Sequence, residues 1–191
     1  MFLSCTENAQ QDNENSNSEN KMKPIEQQEM LSLKDSNSYR LFSFVIGENV
    51  VSISPLPGKV NLEEDIATIK SKGITNIITL VSQEELNNKN LQSFFAEMKS
   101  AGLEVYHSPI VDYGLPAQSQ MDSILNYVNK CLDANQNVLI HCMGGYGRSG
   151  TVMGCYAQKY LTVEDPIQYV RNIRGEDAIE TEDQEKFVIN Y

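Results

Sequence analysis

The segment that most narrows the possible folds is the short apolar run at residues 138–141. It passes directly into Gly144, Gly145 and Gly147 and then into a helical pattern over 148–161. A brief continuous apolar run is what a strand buried on both faces looks like, and such strands belong to parallel sheets covered by helices. The chain from Tyr39 onward repeats this alternation. Residues 41–46 and 50–53 read as strands around a turn at 47–49. Asn61 caps a helix over 62–72 that Gly73 stops, and 74–81 is a β-branched run. A helix over 91–101 ends at Gly102, a strand follows at 103–107, and 109–116 is a loop. A longer helix over 119–135 carries Ile124, Leu125, Val128 and Leu132 at core spacing, and further helices are expected at 163–173 and 182–190. The expected fold is α/β, with a central, mostly parallel sheet flanked by helices and ligand sites at loops beyond the carboxyl ends of strands.

The 191 residues divide into a tail over 1–36, dominated by Asn, Gln, Ser, Glu and Asp, and one domain over 37–191. Such a tail buries too little apolar surface to offset its ordering entropy, so disorder is expected, with a short helix over 25–33 as an option. The net charge of −11 argues against holding nucleic acid or anionic lipid through a general field. An anionic substrate must then be captured locally, by a few donors in a concave site. Cys5, Cys131, Cys142 and Cys155 form no C-x-x-C pair and no zinc spacing, which suggests a reducing, cytoplasmic setting. No apolar run is long enough to span a membrane. Leu3-Ser4-Cys5 before a polar stretch is similar to a lipoprotein junction, so lipid anchoring through Cys5 is the alternative to an ordinary polar tail if the true start lies upstream.

The chemistry concentrates in His141-Cys142-Met143-Gly144-Gly145-Tyr146-Gly147-Arg148-Ser149-Gly150. Glycines at 144, 145 and 147 allow successive N–H groups to aim inward as an anion nest, and the following helix adds the positive end of its dipole. The planar fork of Arg148 suits two equatorial oxygens of a phosphate, which a lysine could not copy. The same field favours a thiolate at Cys142. Ser149 is placed to hydrogen-bond the sulfur, and His141 to support the loop from below.

The pattern H-C-x5-R-S between a strand and a helix resembles the signature of protein-tyrosine and dual-specificity phosphatases. Its context makes it far more specific than a bare C-x5-R. The segment Pro109-Ile110-Val111-Asp112-Tyr113-Gly114-Leu115-Pro116, whose Asp112 stands 30 residues before Cys142, is similar to the acid loop of the cyclin-dependent-kinase-inhibitor-type dual-specificity enzymes. It lacks the Trp of the larger tyrosine-specific enzymes. Residues 174–184 look like their glutamine loop. The resemblance covers about 39–191. It implies Cys142 as nucleophile, Asp112 as proton donor and then base, and Gln184 as the group that orients water. The backbone of Met143, Gly144, Gly145, Tyr146 and Gly147, with Arg148, would bind phosphate, and no metal or other cofactor would be needed. Met143 to Gly147 carries no Lys or Arg, unlike the phosphoinositide members, so a phosphorylated protein is the expected substrate: phosphotyrosine first, with phosphoserine and phosphothreonine as well. Alternatives are a non-protein phosphoester such as a phosphoinositide, a phosphoprotein-binding pseudoenzyme, and a rhodanese-like enzyme, in which Asp112 and Gln184 would have no task. Cys131 and Cys155 read as core cysteines.

Overall fold

The run at 138–141 lies at the centre of a five-stranded sheet. In the computed structural model, which describes residues 39–191, β1 (Phe42–Ile46) and β2 (Asn49–Ser54) form an antiparallel hairpin through Gly47, whose φ is +63°. The remaining strands are β3 (Ile74–Thr79), β4 (Glu104–His107) and β5 (Asn137–His141). The sheet order is β1-β2-β5-β3-β4, and β2, β5, β3 and β4 run parallel. The expected tail over 1–36, its optional helix and Cys5 lie outside the described residues.

Side-chain alternation along these strands divides the core into two layers. Leu139 and Ile77 point to one face, against α1 (Leu62–Ser71), α2 (Gln83–Asn88) and α3 (Phe94–Ser100), where Ile69, Leu86, Phe94 and Met98 are buried. Val138, Ile140 and Ile78 point to the other, against α4 (Gln118–Asp133), α5 (Gly147–Tyr160), α6 (Pro166–Arg174) and α7 (Glu182–Ile189). Each large aliphatic side chain buried this way contributes about 1.5–3 kcal/mol, which is why so short a run as 138–141 fixes the middle of the sheet. Cys131 and Cys155 both lie in the second layer; burial raises the Cys131 thiol and pushes the Cys155 thiol up to about 12.

Three elements differ from the sequence reading. The helix α2 was not expected. Ser82 starts it with a capping box: its hydroxyl accepts from Glu85 N while Glu85 Oε2 accepts from Ser82 N. The helix expected over 91–101 begins only at Phe94, because Asn90 adopts a left-handed φ of 59° and Leu91 N bonds back to Leu86 O, closing α2 first. The helix expected over 163–173 begins at Pro166, where Asp165 accepts from Ile167 N and Gln168 N and proline takes the first helical position.

Because four strands are parallel, the loops after β2, β3, β4 and β5 emerge on one edge of the sheet. Backbone bonds knit them together there: Leu56 N to Met143 O, Leu80 N to His141 O, Ser108 N to Thr79 O and Ile110 N to Leu80 O.

Candidate active site

Cys142 is the first residue beyond β5 and is only 2% exposed. The chain then turns through Gly145 at φ +74°, a conformation that L side chains rarely adopt. A side chain at Gly145 would also overlap the Ser54–Pro55 backbone. That turn aims Gly145 N at Cys142 Sγ, 3.2 Å away. Ser149, in the first turn of α5, places its hydroxyl 3.4 Å from the same sulfur. Gly144 and Gly147 have no positive φ; a Cβ at Gly147 would displace the end of the Glu180 side chain and crowd the Gln184 amide. Only one of the three glycines therefore serves the backbone conformation anticipated for all of them.

His141 is buried beneath the loop, its Nε2 3.0 Å from Thr79 Oγ1 and its Nδ1 3.3 Å from Cys142 O. A carbonyl only accepts, so Nδ1 carries the hydrogen and Nε2 accepts from the Thr79 hydroxyl. Burial lowers its pKa to about 4, keeping the ring neutral.

Arg148 is 2% exposed and its fork is occupied. Nη1 donates to Glu85 Oε2 at 3.1 Å and to Ile110 O at 3.0 Å, while Nη2 donates to Glu85 Oε1 at 2.9 Å. Asp112 Oδ1 lies 2.8 Å from the same Nη2. Burial opposes the guanidinium charge. The Glu85 hydrogen bond and the nearby Cys142, Glu85 and Asp112 outweigh it and hold the Arg148 pKa above its ordinary value. The sequence reading aimed the fork at phosphate; in the structure a carboxylate clamps its Nη1–Nη2 end. Glu85 was not foreseen, although the Ser82-x-x-Glu85 capping pattern was available as a signal for the helix that carries it.

A second cation was also missed. Arg174, at the end of α6, donates from Nε to Gly145 O at 2.7 Å and from Nη2 to Gly144 O at 3.0 Å. Its guanidinium carbon lies 3.3 Å from the Tyr146 ring centre and 4.0 Å from that of Phe42. It braces the two central peptides of the loop and fixes Tyr146. Burial lowers its pKa from the ordinary arginine value.

Asp112 is the most exposed of the anticipated residues, its side chain 55% accessible, on a loop where Tyr113 takes a φ of 56°. Gln184 is fully buried in the first turn of α7, which Thr181 caps. Its Oε1 accepts from Glu180 N at 2.9 Å and its Nε2 reaches Gly114 O at 3.4 Å, linking the start of α7 to the loop that carries Asp112. The structure thus gathers Cys142, the loop 143–147, Arg148, Ser149, Asp112 and Gln184 around one site, with Gln184 at its edge and engaged at both ends of its amide.

Residues 54–160, more than half of the chain, match the model of the family described as polymorphic toxin system, DSP-PTPase phosphatase. The chain belongs to the DSP-PTPase family. Within the curated proteins this DSP-PTPase chain is 32% identical over 124 residues to cyclin-dependent kinase inhibitor 3 of Homo sapiens, covering 63% of this chain and 58% of that protein. It is 43% identical over 83 residues to an uncharacterized protein of Methanocaldococcus jannaschii, covering 44% of this chain and 56% of the relative. It spans about half the length of the curated relatives it matches. Among solved structures, kinase associated phosphatase with its catalytic-site cysteine substituted by serine superposes at a TM-score of 0.73. The identity is 25%, over 81% of this chain and 94% of that one. Tk-PTP in the active form gives a TM-score of 0.64 at 28% identity, over 78% of this chain and 95% of that one.

Proposed function

We propose that this DSP-PTPase is a protein phosphatase that hydrolyses phosphotyrosine, and phosphoserine and phosphothreonine as well, through a cysteinyl-phosphate intermediate. One observation carries the reading: the Cys142 sulfur is enclosed by the loop, with Gly145 N–H and the Ser149 hydroxyl both directed at it at the amino end of α5.

In the first step the Cys142 thiolate attacks phosphorus in line with the ester oxygen, an S–P bond forms, the P–O bond breaks, and Asp112 gives the leaving oxygen its proton. In the second, Asp112 takes a proton from water held near Gln184, the water oxygen bonds to phosphorus, and the S–P bond breaks. Ser149 donates to the departing thiolate and inorganic phosphate leaves. The loop amides and Arg148 stabilise the equatorial oxygens in both steps. Glu85 clamps the Nη1–Nη2 end of Arg148, so the Nε–Nη2 edge is the one that meets phosphate, after Asp112 has left Nη2 for the leaving group. Gln184 must likewise release Gly114 O or Glu180 N to reach water, and motion of the acid loop does the former.

The absence of Lys and Arg from 143–147 supports a protein substrate. A phosphoinositide or related lipid phosphoester is the second reading, favoured by 31% identity over 125 residues to phosphatidylglycerophosphate phosphatase PTPMT2 of Arabidopsis thaliana. No helix among the described residues is long and apolar enough to cross a membrane. The cysteine usage, with no C-x-x-C pair and no zinc spacing, is the ground for a reducing, cytoplasmic setting, with lipid anchoring through Cys5 as the alternative if the true start lies upstream. Wild type, Cys142→Ser and Asp112→Asn assayed on a phosphopeptide panel test the reading. Cys142→Ser should abolish turnover, and Asp112→Asn should lower kcat by about 10²–10⁴-fold while retaining phosphopeptide binding. Full turnover by Cys142→Ser would refute it.

A further inference from the structure

Three of the five exposed large apolar side chains among the described residues lie on the acid loop. Val111 is 79%, Tyr113 64% and Leu115 40% exposed, and they bracket Asp112 on both sides. A loop that only delivered a proton would not need them, and leaving them in water costs solubility. Leu115 continues into an open groove of about 310 Å³, lined also by Gln118, Asp183, Lys186, Phe187 and Asn190. This volume lies at the small end of ligand sites. The groove begins one residue from Gly114, whose carbonyl Gln184 holds, and Gln184 packs against Gly147 of the phosphate loop. Gln184 thus joins Gly114, next to the groove residue Leu115, to Gly147, and its neighbours Asp183, Lys186 and Phe187 on α7 line the groove.

Asp183 is the groove's acidic lining residue, and Glu180 and Glu182 are exposed just before it in the chain, while the Asp112 charge is shared with Arg148. The one base in the groove, Lys186, has its Nζ 3.5 Å from Glu182 Oε2, which offsets its charge. With a whole-chain charge of −11, the field around the groove favours a cationic partner and repels an anionic membrane surface.

We infer that Val111, Tyr113, Leu115 and Phe187 form the docking surface for the polypeptide flanking the phosphorylated residue, selecting an adjacent large apolar side chain together with Lys or Arg. The inference rests on the protein-phosphatase reading and names the substrate class for that site. The phosphate is met by buried Arg148 and the loop amides, while the flanks are read by surface features of opposite preference. A substrate doubly negative at its phosphate and positive beside it matches both.

The test compares phosphotyrosine peptides that differ only in their flanks: Leu or Gly beside the phosphorylated residue, and Arg or Glu beyond it. Para-nitrophenyl phosphate serves as a reference too small to reach the groove. Peptide kcat/KM is divided by that of the reference in the same preparation, which cancels any loss of folded enzyme. In wild type the Leu–Arg peptide should exceed the Gly–Glu peptide by about tenfold or more at low salt, and the charge-dependent part should shrink as salt is raised. Leu115→Ser should remove the preference for Leu, and Asp183→Lys should reduce that for Arg by about threefold to fivefold. Turnover of the reference with equal rates on all peptides overturns the docking surface alone, as do variants that keep both preferences. So does faster turnover of a phosphatidylinositol monophosphate in phosphatidylcholine vesicles than of any peptide. Failure of wild type on every substrate, the reference included, overturns the phosphatase reading along with it.

Discussion

Arg148 is shared among Glu85, Ile110 O and Asp112 before any substrate arrives, and this sharing sets the chemistry of the site at the scale of single residues. Glu85 fixes the plane of the guanidinium, so the edge left over has a defined direction. Asp112 is the one partner that is exposed and on a loop, hence the one able to leave. Glu85→Gln keeps the size but loses the charge that balances a nearly inaccessible cation. Hydrogen bonds to charged groups contribute about 1.5–3 kcal/mol, so kcat/KM should fall about tenfold or more. Arg148→Lys should fare worse, because an ammonium cannot serve Glu85 and phosphate from one plane. Steady-state kinetics on a small aryl phosphate checks both, and a Glu85→Gln enzyme with unaltered kcat/KM would remove Glu85 from the mechanism.

At the scale of elements, the loop over 142–147 depends on neighbours distant in sequence. Only glycine fits at 145, because Ser54 and Pro55 at the end of β2 come so close, and Arg174 at the end of α6 binds the loop carbonyls from the other side. Gly145→Ala should displace the loop and abolish turnover while far-ultraviolet circular dichroism remains that of the wild type, since the sheet does not depend on residue 145. The short helix α2 is held by its capping box. Ser82→Ala removes the side-chain half of it and should cost about 1 kcal/mol, read as a lowered urea midpoint. The same substitution should lower kcat/KM, because Glu85, the third helical residue, loses the geometry that presents it to Arg148. A stability loss with unchanged kinetics would show that Glu85 is positioned independently of the cap.

At the scale of the whole molecule, the site makes stability depend on pH. His141 is neutral when folded, its pKa about 4 against an ordinary 6.5, because burial penalises the imidazolium. Below 6.5 the unfolded chain takes up a proton that the folded chain refuses. The contribution is therefore complete above pH 6.5 and is lost as pH falls toward 4, amounting to up to about 3 kcal/mol at 1.36 kcal/mol per pH unit. Burial pushes the Glu85 pKa up, but hydrogen bonds from Arg148 and Ser82 bring it below its usual value. Its contribution is present above that usual value, 4.5, and is lost on further acidification through the folded pKa. Tm should decline steadily from pH 6.5 downward, and His141→Gln should flatten the upper part of that decline. A Tm independent of pH between 6.5 and 4 would contradict the buried neutral imidazole.

The sequence by itself determined the alternation of strands and helices, the central strand and the glycine-rich turn that joins it to α5. Each is written in contiguous residues through periodicity, glycine placement and a local motif. It placed Asp112 and Gln184 only through likeness to a family. Where local chemistry was overlooked, as with the Ser82 box and the Asp165–Pro166 start of α6, the signal was present but short. Tertiary structure alone decided that Glu85 holds Arg148, that Arg174 and Tyr146 brace the loop, and that Gly147 yields space to Glu180 and Gln184. Those contacts bring α2 and the α6–α7 segment onto the loop that follows β5, through packing between elements distant in the chain, and no local pattern encodes which side chain will be found there.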